Sequence, residues 1–166
     1  MSVRILTVAT LLATAALSPL AAQEKPSFAG SWKVNTEKSD PMGGGMGGGG
    51  GMGGMMGSAV TTITQTDTKL VIEAKMGDNT RTSTYNLDGT ESTNTSPRGE
   101  SKSKAHWDGA SLVIETTSSF NGPNGPMTTT SKEVRTLSPD AKTMTVVRTS
   151  QGPNGETTRK TVYDKQ

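Results

Sequence analysis

The tetrapeptide Leu-Val-Ile-Glu occurs twice, at residues 70–73 and 112–115, each time shortly after a turn led by Asp. Around both copies apolar and polar residues alternate. That period of two puts one face of a strand into a core, and no helix can use it. Lys69 to Met76 places Leu70, Ile72, Ala74 and Met76 on one face, with Val71, Glu73 and Lys75 on the other. Ala110 to Phe120 groups Leu112, Ile114 and Phe120, and Thr143 to Ser150 groups Met144, Val146 and Arg148. Similar patterning predicts strands at 28–36, 59–67, 80–87, 101–107, 127–137 and 157–163. Thr recurs throughout, which suits strands because its β-branch stiffens the chain while its hydroxyl tolerates water.

Between these segments lies turn chemistry: Gly77-Asp78-Asn79, Asp88-Gly89, Asp108-Gly109, Pro139-Asp140 and two copies of Gly-Pro-Asn-Gly, at 122–125 and 152–155. Gly and Asn accept positive φ, and Asp-Gly between alternating runs is a hairpin signal. Sequential hairpins imply an up-and-down antiparallel sheet. Closing such a sheet removes the edges that invite aggregation, so the expected fold is all-β, an antiparallel barrel of about eight or nine strands. A β-sandwich is the alternative.

Residues 1–22 read as a signal peptide. Arg4 precedes an apolar stretch from Ile5 to Leu17, and Ser18-Pro19-Leu20-Ala21-Ala22 supplies a break with small residues. The apolar run is too short to cross a bilayer core of about 30 Å, and no other segment approaches that length. The expected location is periplasmic or secreted. Residues 23–166 then form one domain of 144 residues, 166 less 22, a monomer-sized unit. Arg4 is the only charge lost, leaving 16 basic against 15 acidic residues. So even a balance argues against nucleic acid and anionic membrane surfaces as partners. With no Cys, disulfides, thiolate nucleophiles and Cys-ligated metals are excluded together.

Met42 to Gly57 contains five Met and eleven Gly and nothing else. Such a run has no face to bury, and Gly loses the most freedom on ordering, so the tract is expected to be a disordered loop. Its thioethers are soft ligands that select Cu(I). Met52, Met55 and Met56 lie close enough to form a three-sulfur site, with Met42 and Met46 reachable. The plainer reading is a low-complexity insertion without a ligand. The tract lacks the Lys and the following helix that a phosphate loop requires.

Phe28-Ala29-Gly30-Ser31-Trp32-Lys33-Val34 resembles the Gly-x-Trp signature that opens the first strand of lipocalins, where the Trp closes the barrel's bottom. A closer similarity is to small exported bacterial proteins described as lipocalin-like, mostly uncharacterised. It extends through Asn35 to Lys38-Ser39, through Trp107-Asp108-Gly109 leading to Leu112-Val113-Ile114, and through Leu137-Ser138-Pro139-Asp140 leading to Thr143-Met144-Thr145-Val146. The resemblance implies a non-enzymatic barrel whose cavity holds a small apolar ligand. It also implies an Arg packed over Trp32, with Arg148 and Arg159 as candidates. The competing functions are a Cu(I)-binding protein and an enzyme whose site the sequence does not reveal.

No catalytic set stands out. His106 is the only histidine and cannot form a multi-His metal site. Asp88, Asp108 and Asp140 all fall in turns, where Asp caps backbone groups. Trp32 and Trp107 are expected to be structural anchors.

Overall fold

The computed structural model describes residues 25–41, 60–96, 99–122, 125–152 and 155–166. The expected signal peptide at 1–22 and the Met/Gly tract at 42–57 lie outside the described residues. Ten strands follow one another: β1 (Gly30–Asn35), β2 (Val60–Gln65), β3 (Lys69–Met76), β4 (Asn79–Asn86), β5 (Glu91–Ser96), β6 (Gly99–Asp108), β7 (Ser111–Gly122), β8 (Gly125–Leu137), β9 (Thr143–Gly152) and β10 (Gly155–Lys165). Every pairing is antiparallel, and all join sequence neighbours except that of β1 with β10, which brings the first and last strands together. The result is one rolled sheet, a barrel rather than a sandwich.

The one seam without a ladder lies between β4 and β5. Side chains sew it instead. The Asn94 amide accepts from the Thr84 N–H at 2.8 Å and donates to the Thr84 carbonyl at 3.0 Å. Ser92 Oγ accepts from the Asn86 N–H at 2.7 Å. Asn94 thereby copies the paired bonds of a strand residue and satisfies backbone groups that would otherwise be stranded.

The alternation does what its period predicts. Trp32, Leu70, Ile72, Leu112, Ile114 and Val146 share one core with Phe28, Ile63, Leu87, Ala105 and Met144. Outside, Glu91, Lys104, Glu115 and Lys132 stand directly opposite one another across β5 to β8, so every neighbour in the row carries the opposite sign. Opposed charges on facing strands favour this register and disfavour slippage.

One strand escaped the sequence pattern: β5, Glu-Ser-Thr-Asn-Thr-Ser, contains no apolar residue. Its inner face carries Ser92 and Asn94, so hydrophobic alternation has nothing to detect. This accounts for ten strands where nine candidates were read.

The closed end is built on the Gly-x-Trp segment. Trp32 is fully buried and donates from Nε1 to the Phe28 carbonyl at 2.9 Å. Phe28 stacks on Trp107 with ring centroids 6.0 Å apart. Gln65 straps residues 26–28 down, accepting from the Phe28 N–H and donating to the Pro26 carbonyl. Neither Arg148 nor Arg159 covers Trp32. Lys165 does, with Nζ 5.3 Å from the ring centroid, because β10 pairs Lys165 directly opposite Trp32. Gly30 makes this possible: a Cβ there would lie 2.9 Å from Lys165 Cε, and its φ of +133° suits only glycine.

Candidate functional site

Reading the cross-strand register inward from the closed end gives rungs of sharply different chemistry. The first runs Leu137, Met144, Tyr163, Val34, and the second Trp107, Leu112, Arg135, Val146, Thr161. The third is Ala105, Ile114, Glu133, Arg148, Arg159. The fourth consists entirely of hydroxyls: Ser92, Ser103, Thr116, Ser131, Ser150 and Thr157. The barrel interior is therefore graded along its length, from apolar through charged to hydroxylic.

Where the grades meet lies a chamber of about 230 Å³. Ile72, Ala74 and Ile114 form apolar parts of its wall, Tyr85 and Tyr163 contribute phenols, and the rest is Ser, Thr, Asn and charge. Ser103 bonds Thr116 at 2.9 Å, and Ser101 bonds Ser118 at 3.0 Å, hydroxyl to hydroxyl across β6 and β7.

Four charged groups line this chamber: Arg81, Arg135, Arg148 and Glu133. Arg135 is 8% exposed, and its Nε donates to Glu133 Oε1 at 2.6 Å while Nη2 donates to the same oxygen. Its Nη1 lies 3.9 Å from Met144 Sδ. Burial opposes the Arg135 charge, but the Glu133 carboxylate and the facing Tyr163 and Tyr85 outweigh it and raise its pKa. Burial also pushes the Tyr163 phenol up, with Arg135 partly countering it. Arg135 is thus a fixed cation already matched by a carboxylate.

Arg148 differs. It stands opposite Glu133 in the register, yet Glu133 is committed to Arg135, and the Arg148 guanidinium bonds Ser131 Oγ at 3.1 Å. On its other side β10 places Arg159, which donates to the Pro41 carbonyl at 3.2 Å.

The residues singled out in the sequence fall elsewhere. His106 is exposed and faces outward from β6. Asp88 accepts from the Thr90 side chain and backbone, and Asp140 from Ser138 and the Lys142 N–H; these bonds hold both carboxyls below the usual 3.8. Both are turn residues, as their context implied. Met52, Met55 and Met56 lie outside the described residues. Among those described, no three His, Cys, Asp or Glu converge as a metal site, and no helix is long and apolar enough to cross a membrane. Trp107 Nε1 is buried without a partner.

The interior cluster of Arg135, Glu133 and Tyr163 went unread in the sequence. The signal was present in phase: Leu137 faces inward, so Arg135, Glu133 and Ser131 must too. A larger hollow of about 770 Å³ lies against the outer wall between β5 and β10. Its three Lys and three Glu balance, which marks it as a solvated face rather than a site.

No protein-family model matches the chain, and no curated protein matches it. Solved structures do. A REP1-NXSQ fatty acid transporter is 16% identical with a TM-score of 0.57, over 83% of this chain and 95% of its own. Zebrafish ileal bile acid-binding protein, complexed with cholic acid, is 15% identical with a TM-score of 0.56, over 84% and 98%. An abundant heat soluble (SAHS) protein from Ramazzottius varieornatus is 14% identical with a TM-score of 0.58, over 88% and 100%. At such identities the similarity is one of fold: a lipocalin-like, fatty-acid-binding-protein-like barrel.

Proposed function

We propose that this protein is an exported, non-enzymatic carrier that holds one small amphipathic molecule inside its barrel. The observation that carries this reading is the mixed lining of the chamber: Ile72, Ala74 and Ile114 make part of its wall apolar while the rest is hydroxylic and charged, which suits a ligand with one end of each kind. Ligand pockets usually run from about 300 to 1,000 Å³, so a chamber near 230 Å³ favours a short molecule. The fatty acid and bile acid named for two barrels of this fold are larger instances of the same amphipathic chemistry. Export rests on the leader, and Cu(I) binding by Met52, Met55 and Met56 stands as a separate proposal from composition alone.

The test is calorimetric titration with six-carbon amphiphiles, hexanoate and hexanamide, against the wild type and Ala74→Phe. Ala74 is half-buried and lines the chamber, so a phenyl ring there occupies the space a ligand needs. Binding by the wild type that the folded variant loses supports an interior site. No binding of either probe at millimolar concentration, or binding that Ala74→Phe leaves intact, overturns it.

A further inference from the structure

Resting on that reading, we infer that the ligand is an anion and that Arg148, with Arg81 on the same chamber, is what recognises its charged head. Three guanidiniums and one carboxylate line the chamber. Glu133 is spent on Arg135, to which it is bonded through both Nε and Nη2. That leaves the Arg148 and Arg81 charges without a carboxylate in the same space. Arg148 is bonded there to a neutral hydroxyl, Ser131.

The register adds a second observation. Arg148 and Arg159 are direct cross-strand partners on the inner face of β9 and β10. Like charges placed opposite each other destabilise a sheet. Of the two, Arg148 lines the chamber, so an anion seated there against Arg148 offsets part of that repulsion.

The surroundings narrow the chemistry further. Next to the arginine row is the hydroxyl rung, of which Ser103 and Thr116 line the chamber, and Ser101 and Ser118 line it too. Hydroxyls both donate and accept, and guanidinium presents a planar fork that fits carboxylate or phosphate oxygens. The same chamber offers the apolar side chains of Ile72 and Ile114. The ligand class is a short organic acid, its acidic head among Arg148 and the hydroxyls and its apolar remainder against the isoleucines. Arg135 holds its position through Glu133 and is not the head-group anchor.

Hexanoate and hexanamide have the same length and differ in charge, so their comparison isolates the head. Calorimetry at low salt is expected to give hexanoate at least about tenfold tighter binding than hexanamide, the scale of a charge-assisted hydrogen bond. Arg148→Gln, an exposed position whose loss should leave the fold intact, is expected to erase that preference. Arg148→Lys should retain part of it, and added salt should weaken it in the wild type. Equal binding of the two probes leaves the carrier reading standing and overturns this one. A hexanoate preference that survives Arg148→Gln puts the anchor elsewhere and overturns it as well. If neither probe binds, both readings fall.

Discussion

The Arg135–Glu133 pair makes a quantitative test of how the barrel tolerates charge inside. Their side chains are only 10% and 15% exposed, so each depends on the other. Arg135→Met keeps the length and apolar bulk of the side chain but leaves Glu133 facing a low-dielectric wall. Removing one partner of a buried pair typically costs about 3–5 kcal/mol. Here the lower end applies, because Arg148 stands opposite Glu133 and its flexible guanidinium can turn toward the abandoned carboxylate. The expected loss is therefore about 3 kcal/mol, a large share of the roughly 5–15 kcal/mol that holds a domain together. The double variant Arg135→Met/Glu133→Gln removes the charge as well as its partner, and replacing a whole buried pair is often close to neutral. It should regain most of the loss. Urea unfolding followed by Trp32 and Trp107 fluorescence measures all three proteins. A double variant no more stable than Arg135→Met would refute the argument, since the cost would then come from lost packing and not from an unpaired charge.

Ile114, 2% exposed in the core, should cost about 2–5 kcal/mol when changed to Ala; a loss below half that range's floor in the same urea assay would contradict its placement. Deleting Met42 to Gly57 and joining Pro41 to Ser58 through a short linker should preserve the β-type circular dichroism spectrum, since loop length enters closure entropy only logarithmically. An unfolded product would show that the tract packs. If the tract binds Cu(I), titration under reducing conditions should show about one equivalent lost when Met52, Met55 and Met56 all become Leu, which keeps bulk and removes sulfur; retention of binding would place copper elsewhere. Tyr163 ionises later in the folded protein than its ordinary value of 10.0 because burial favours the neutral phenol. The unfolded chain then releases that proton first as pH rises, so the contribution is intact below pH 10 and lost above it. Tyr163→Phe should flatten this part of the alkaline decline in stability, and an unchanged decline would assign it to other groups.

The sequence by itself determined the secondary structure, because strand formation is written in local terms. A period of two, Thr-rich faces and Asp-Gly or Gly-Pro-Asn-Gly turns are readable from near neighbours, and they fix which residues share a face. For that reason the core of Trp32, Leu70, Ile72, Leu112, Ile114 and Val146 was legible, and so was the barrel closed from sequential hairpins. Strand β5 was not, since its inner face bears Ser92 and Asn94, and polarity inside a barrel looks like polarity outside it. The tertiary structure alone decided which residues from distant strands share a rung. Lys165 reaches Trp32 because the register of β1 and β10 places them opposite. Glu133 pairs with Arg135 and leaves Arg148 beside Arg159 because β8, β9 and β10 align so. These are non-local pairings between residues up to 133 positions apart, Trp32 to Lys165. No local pattern encodes such pairings, which exist only once the sheet has rolled up and its last strand has met its first.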